Sequence, residues 1–301
     1  MVYLFIINGR EDKAFISDEI RRQISSIQDA PTCEYYITRC EGDATEYVAD
    51  HAQAHPEAEY CYVACGGDGT ICEVASGMAK ACQENPAVKD KYLAVMAYGS
   101  GNDFVKYYPG HDFKSVEKLF AATRSRIDIM KVNDRYSINV TNFGFDSVVG
   151  HVGGVLASKG WKNPYRFGIV AAILTGRFNR INVQADDETI GRNLLLCTLA
   201  NNHYVGGEFF CAPRAKNDDG LIDVCLIRTM SLMKFLQILP VYTAGKHFDD
   251  ARFEKKIVYR QAKKVTVSSK KSIYLCLDGE MLAGTCFNIE ILPGQIGFMI
   301  P

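Results

Sequence analysis

Apolar and polar positions follow two rhythms along this chain. Up to residue 130, apolar runs of strand length take turns with stretches whose apolar residues recur every three or four positions. The run over residues 2–7 is continuously apolar, as a strand buried on both faces should be. Phe15, Ile16, Ile20, Ile24 and Ile27 then mark one face of a helix. The same reading predicts strands over 33–38, 60–65, 92–97 and 126–132, and helices over 43–55 and 71–83, with a short one around Val116, Leu119 and Phe120. Strands alternating with helices imply right-handed crossovers and a parallel sheet, whose ligands bind beyond the carboxyl ends of the strands. From residue 131 the pattern changes to short strands between turn residues, over 136–140, 143–149, 179–184, 193–199, 221–227, 257–259, 264–267, 273–277 and 287–292. That spacing predicts an antiparallel sandwich or barrel, interrupted by helices over 164–174 and 231–246. In the second helix Leu232, Phe235, Leu236 and Leu239 are expected in the core rather than in a lipid groove. The chain therefore divides into an α/β domain with a mostly parallel sheet, 1–130, and an antiparallel β-sandwich domain, 131–292, with a cleft between them. The tail 293–301 is expected to pack back on the first domain.

Composition changes this picture little. With 301 residues, 48% hydrophobic and 23% charged, the chain can bury an ordinary core. A net charge of −1 provides no field that would draw the protein to nucleic acid, so any membrane contact must come from a local patch. Lysines and arginines between Arg252 and Lys271 form one such patch, read first as protection of a strand edge and second as contact with anionic lipid. Several of the eleven cysteines sit inside apolar runs, which fits a reducing cytoplasm. His51 and His55, four apart on a predicted helix, lack carboxylate or thiolate companions and read as a solvated face rather than a zinc site. No secretion leader is visible, and the apolar stretch 167–174 is too short to cross a bilayer, so no transmembrane segment is expected.

The chemistry gathers at four turns. Gly66-Gly67-Asp68-Gly69-Thr70 joins a buried strand to a helix. Glycines there let main-chain N–H groups approach an anion at the positive end of the helix, although such a loop can also serve only to turn the chain. Gly99-Ser100-Gly101-Asn102-Asp103-Phe104 follows the next strand. Ser100 can donate to a phosphate and Asp103 can hold Mg²⁺, while the same residues also suit a helix cap. Both loops fall at carboxyl ends of parallel strands and should face one cleft. Lys216 to Leu221 reads as a hairpin entry, or as a Mg²⁺ site built on Asp219 and neighbouring carbonyls. Asp278-Gly279-Glu280 reads as a tight turn that either leaves Glu280 exposed or aims it as a general base. There is no P-loop signature, dinucleotide fingerprint or nucleophile elbow.

In this order and spacing the turns, with Asn142-Phe143-Gly144-Phe145-Asp146 and the Ala212-Pro213 to Asp223 segment, resemble the diacylglycerol kinase catalytic-domain family, which includes soluble bacterial lipid kinases and sphingosine kinases. The resemblance covers nearly the whole chain. It implies an NAD-kinase-like nucleotide-binding domain followed by a β-sandwich, with ATP and Mg²⁺ as cofactors. The implied acceptor is a lipid hydroxyl, diacylglycerol-like, presented at a membrane surface. ATP contacts carry over to Asn8, Thr38, Gly66, Gly67, Asp68, Gly69, Thr70, Ser100, Gly101 and Asn102. Asp68 and Asp103 are expected to organise Mg²⁺ and the triphosphate, and the resemblance implies that Glu280 is the proton acceptor. A structural Mg²⁺ maps to Asp219 with backbone oxygens of Lys216 and Leu221. The implied location is cytoplasmic with peripheral contact at the inner membrane face, and a homodimer is an open expectation. Two departures stand out: Asn8-Gly9-Arg10 is shorter than the family's first loop, and Cys72 stands where many members carry Asn. The alternatives are an NAD kinase-like phosphotransferase and a nucleotide- and lipid-binding regulator without turnover.

Overall fold

A computed structural model describes residues 1–159, 180–191 and 193–301, apart from the side chains of residues 145, 146, 157 and 158. The expected helix over 164–174 and the first residue of the strand expected over 179–184 lie outside the described residues. In chain order the elements begin β1 (Val2–Ile7), α1 (Phe15–Ser25), β2 (Cys33–Ile37), α2 (Asp43–Ala54), β3 (Tyr60–Gly66), α3 (Asp68–Glu84), β4 (Tyr92–Ala97), α4 (Val116–Phe120) and β5 (Thr123–Val132). They continue with β6 (Arg135–Ser137), β7 (Val140–Gly144), α5 (Phe145–Ser158), β8 (Asn182–Ala185), β9 (Glu188–Gly191), β10 (Leu194–Ala200), β11 (Ile222–Arg228), α6 (Leu232–Thr243), β12 (Ile257–Ala262), β13 (Lys264–Leu277) and β14 (Glu280–Ile300). Two compact units result, Met1–Ile129 with Leu292–Pro301, and Met130–Ile291.

The first unit is a parallel sheet in the order β4-β3-β1-β2, extended beyond β4 by the last residues of β14, where Gly297 and Phe298 pair with Tyr92 and Leu93. Its central strands β1 and β3 are buried on both faces, which is why their sequences run apolar without alternation. One face packs Phe5, Ile7 and Val63 against Ile16 and Ile20 of α1 and Val116 and Leu119 of α4. In α2 and α3, Gly77 sits against Thr45 and Val48 so closely that a Cβ would strike the Thr45 carbonyl at 2.6 Å. Glu73 of α3 accepts from the Ala44 amide at 3.2 Å, tying α3 to the start of α2, and its carboxyl is raised above its ordinary value by burial.

The second unit is an antiparallel sheet in the order β12-β11-β10-β7-β13-β14, with the β8-β9 hairpin on β13. Here α6 packs Phe235, Ile238 and Tyr242 onto a core with Val140, Leu196 and Ile227.

Several expectations are corrected. The strand expected over 143–149 is strand only at Phe143 and Gly144: β7 ends at Gly144, which adopts φ 93°, and α5 begins at Phe145. An apolar run of that length fits strand and helix alike. The strands expected over 264–267 and 273–277 are one strand with an irregularity between Ser268 and Ile273. Leu232 and Leu236 of α6 are exposed, because Phe235, Ile238 and Tyr242 define its inner face. His51 is half-buried rather than on a solvated face: it bonds the Tyr62 hydroxyl at 3.1 Å and stacks on His55. The basic stretch includes β12, which ends the sheet order, and Arg260 and Lys264 pair with Glu188 and Glu290 at 3.5 and 3.7 Å.

His247 is 0% exposed in the second unit, against Tyr242 and Phe248, and both ring nitrogens lack hydrogen-bond partners. Burial pushes its pKa down to about 4; Arg214 adds to that and Asp249 opposes it. The folded state therefore keeps the ring neutral while the unfolded chain takes up a proton below its ordinary value. Stability is full above about pH 6.5 and falls as pH drops toward 4, by up to about 1.4 kcal/mol per pH unit. Urea unfolding across that window should show this slope, and His247→Leu should flatten it; an unchanged slope in the variant would remove His247 as its source.

Candidate active site

In the first unit the two glycine loops meet at the carboxyl ends of β3 and β4. Helix α3 begins at Asp68, not Ile71, so the Asp-Gly-Thr of the first loop is its first turn. The amides of such a turn have no intrahelical acceptor and point out of the positive end of the helix. Gly66 is required there because a Cβ would collide with the Thr70 side chain. Between the loops, a Cβ on Gly99 would lie 2.5 Å from Gly67 Cα and 2.6 Å from Asn102 Oδ1, so the two backbones touch without room for a methyl group. Nothing lies within 4 Å of a Cβ built on Gly69, so that side of the first turn is open to a ligand.

Side chains then fix the loops. Asp68 Oδ1 accepts from the Phe104 amide at 3.0 Å, which ties the first loop to the second. Burial raises the Asp68 carboxyl above its ordinary value, while the Phe104 and Asp103 amides oppose the shift. The position of a Cβ on Gly101 is 3.2 Å from Asp68 Oδ2 and 3.7 Å from Asp103 Oδ2, so both carboxylates border the same point. Asp103 is buried and paired with Lys106 at 2.7 Å. Asn102 adopts φ 50° and uses its amide on Gly99, accepting from the Gly99 N–H and donating to its carbonyl, both at 2.9 Å. Ser100 is exposed at the loop tip. At the ends of β1 and β2, Asn8 Nδ2 donates to Thr70 Oγ1 and the Gly9 amide donates to Thr38 Oγ1, each at 3.1 Å. Lys13 Nζ donates to the Tyr98 carbonyl at 2.7 Å, next to Gly99. Asn8, Thr38, Gly66–Thr70 and Gly99–Asp103 are thus linked in one network of contacts. Lys13 and Lys106 were missed in the sequence, although Lys106 follows Asp103 at the spacing of one helical turn.

In the second unit Asp278 and Gly279 form a two-residue hairpin turn between β13 and β14, both with positive φ, 47° and 101°, and Glu280 pairs with Leu277. The Asp278 carboxylate accepts from Ser137 Oγ at 3.0 Å and from the Ile138, Asn139 and Val140 amides at 2.7, 3.2 and 2.8 Å. One carboxylate thereby anchors the start of β7 and fixes the turn that carries Glu280. Glu280 is half-buried rather than an exposed turn residue, and Arg135 Nη1 lies 3.5 Å from its Oε2. Neither Asp278's anchoring role nor Arg135 was read from the sequence. Asn142 is fully buried in β7, opposite Thr198, and the side chain of Asp146 is not among those described.

The Lys216 to Leu221 segment closes a long connection from β10 to β11 rather than a hairpin. Asp219 is exposed, with Oδ1 accepting from the Leu221 amide at 3.1 Å. Close by, Asp223 is buried with Oδ1 bonded to the Tyr259 hydroxyl and Oδ2 lacking a hydrogen bond. Its carboxyl is pushed up to about 6, chiefly by burial, with the Asp219 charge adding to the rise. A carboxylate at Asp219, adjacent main-chain oxygens and an unbonded carboxylate oxygen at Asp223 fit a hard, oxygen-ligated cation such as Mg²⁺. Among the described residues no cluster of three or more His, Cys, Asp and Glu side chains exists, so main-chain oxygens and water would complete the shell.

Residues 2–132 match the family described as diacylglycerol kinase catalytic domain, and residues 139–300 match the YegS C-terminal NAD kinase beta sandwich-like domain. The chain is 27% identical over 271 residues to a protein of Bacillus subtilis (strain 168) named "Diacylglycerol kinase", covering 84% of this chain and 82% of that one. It is 28% identical over 307 residues to a Serratia proteamaculans (strain 568) protein named "Probable lipid kinase YegS-like", covering 99% and 93%. A crystal structure of a Bacillus anthracis str. Sterne diacylglycerol kinase superposes with a TM-score of 0.72 at 21% identity, covering 100% of this chain and 96% of that one, and shows the same fold. The chain belongs to the diacylglycerol kinase family of lipid kinases. No helix among the described residues is long and apolar enough to cross a membrane.

Asp278→Asn keeps a side chain that tolerates positive φ but halves the acceptor capacity for four donors. Hydrogen bonds to a charged group contribute about 1.5–3 kcal/mol each, so the variant should lose at least about 1.5 kcal/mol in urea unfolding. An unchanged midpoint would mean that the Asp278 anchor contributes nothing to stability.

Proposed function

We propose that the protein transfers the γ-phosphoryl group of ATP to the hydroxyl of a diacylglycerol-like lipid. The first unit binds the nucleotide and the second receives the acceptor. The observation that carries the reading is the contact of the Gly67 and Gly99 backbones beside the open first turn of α3. Such a surface offers main-chain N–H groups to phosphate oxygens and leaves no room for a competing side chain. Gly66 to Thr70, with Ser100, Gly101 and Asn102, cradle the triphosphate, and Asn8 and Thr38 border it. Mg²⁺ bound with the nucleotide would neutralise phosphate charge, and Asp219 with the main-chain oxygens of Lys216 and Leu221 would hold a second ion at the entry to β11. Asp68 and Asp103 set the charge and shape of the loops, and Lys106 holds Asp103 in place.

Phosphoryl transfer of this kind needs alignment and charge neutralisation rather than a covalent nucleophile. Glu280 accepts the proton of the lipid hydroxyl as that oxygen attacks the γ-phosphorus and the bond to the β–γ bridging oxygen breaks, with ADP as the leaving group, while Arg135 and the Asp278 turn hold the Glu280 carboxylate in place. The site faces an acceptor drawn from a membrane, with the protein itself in the cytoplasm.

Incubation with ATP and, separately, diacylglycerol, a sphingoid base and NAD, read by product mass, tests the reading. One phosphate added to diacylglycerol is expected; phosphorylated NAD alone, or no product from any acceptor, would overturn it. A general base contributes about 10²- to 10⁴-fold, so Glu280→Gln should lower turnover by about that much with ATP affinity retained. Wild-type turnover in that variant would remove Glu280 from the mechanism.

A further inference from the structure

Two strand edges of the second unit have no strand partner among the described residues, and one cavity lies between them. β12 ends the sheet order on one side, and β9 pairs only with β8 on the other. A Cβ on Gly191 would lie 2.7 Å from Leu226 Cδ1, so β9 is seated on β11, the neighbour of β12. Glu188, Ile190, Arg228, Val258 and Arg260 line a cavity there of about 390 Å³. Ile190 is buried and Val258 half-buried, so part of the wall is apolar. Its charge comes from the arginines. Arg228 has no hydrogen bond or ion pair to its side chain among the described residues. Arg260 donates Nη1 to the Tyr259 carbonyl at 2.9 Å and meets Glu188 only at 3.5 Å.

An exposed arginine on an edge strand ordinarily guards against strand pairing, and that role needs charge but no cavity. Lys255 and Lys256 already bring such charge to the start of β12. Two guanidinium groups on one concave wall, outnumbering its single carboxylate, ask for an anion. A guanidinium fork matches phosphate oxygens, and two forks suit a dianion better than one carboxylate. Small-molecule pockets run from about 300 to 1,000 Å³, so this one is sized for a small ester and not for a lipid with two acyl chains. We propose that the cavity binds a small soluble phosphate monoester, with the phosphoryl group on Arg228 and Arg260 and the apolar part against Ile190 and Val258. The glycine loops belong to the first unit and share none of these residues, so the site is separate from the nucleotide cradle and does not depend on the kinase reading.

The test is a titration of phenyl phosphate into the whole chain labelled at its isoleucine methyl groups, read by NMR. The methyl signals of Ile190 and Ile257, which both line the cavity, should shift along one saturable curve that weakens at high salt. Phenol, which carries no phosphate, should leave them in place. Arg228→Gln should weaken binding at these methyls at least about tenfold, through loss of a charged hydrogen bond. The Arg228 guanidinium has no polar partner to lose, so the thermal midpoint should hold. If it falls, Arg228→Lys, which keeps the charge without the fork, carries the test with binding at least about threefold weaker. Shifts confined to isoleucines of the first unit, such as Ile7 and Ile71, would put the phosphate at the glycine loops alone and overturn the proposal. So would equal binding by Arg228→Gln and wild type, or by phenol and phenyl phosphate. Dihexanoyl phosphatidate, titrated in parallel below its micellar concentration, separates a soluble ligand from a lipid headgroup. Shifts of Ile190 and Ile257 with that lipid but not with phenyl phosphate would overturn the assignment to a soluble ester.

Discussion

Two backbones meet at Gly67 and Gly99, and the first unit's chemistry depends on that contact. A methyl group on Gly99 would lie 2.5 Å from Gly67 Cα, so the turns after β3 and β4 can close only without side chains. Closure brings the Asp68 carboxylate to the Phe104 amide and sets both Asp68 and Asp103 beside Gly101. Two carboxylates so close to the proposed phosphate site would repel an anionic ligand unless offset. Lys106 at 2.7 Å from Asp103, the two amides around Asp68 and the positive end of α3 provide that offset. Thr70, in turn, occupies the space that Gly66 leaves and receives the Asn8 amide, so β1 is joined to the same network.

The second unit solves a similar problem with a side chain instead of glycine contacts. Asp278 holds four donors from Ser137 to Val140 at one point, where Asp and Gly both take positive φ. Rigidity at that turn matters because Glu280 is the next residue. In the proposed mechanism Glu280 accepts a proton at one position, and such a carboxylate gains most from a support that loses no entropy when the acceptor arrives.

Much of this was legible because burial leaves a strong imprint on sequence. The strands β1, β3 and β4 are buried on both faces, and their apolar runs marked them almost to the residue. The start of α3 was read late, since a first turn made of Asp, Gly and Thr has no apolar period. Residues 143–149 read as strand because an apolar run does not distinguish strand from helix, and Gly144 gave the only break. The loops could be named from their glycines, but not the contacts between them: Phe104 to Asp68, Asp278 to Val140 and Arg135 to Glu280 join distant positions that no local pattern records. The outer face of α6 was missed for a related reason. A helix apolar nearly all round gives its type by periodicity, and only packing shows which face is left over.

The central claim is that main-chain groups of the two touching loops hold the phosphates of ATP. Calorimetric titration of ATP into Gly99→Ala measures it most directly, because the added methyl group separates the loops without changing any charge. Loss of a charged hydrogen bond predicts at least about tenfold weaker binding, with the thermal midpoint of the rest of the protein maintained. ATP affinity equal to that of the unaltered protein would contradict the account.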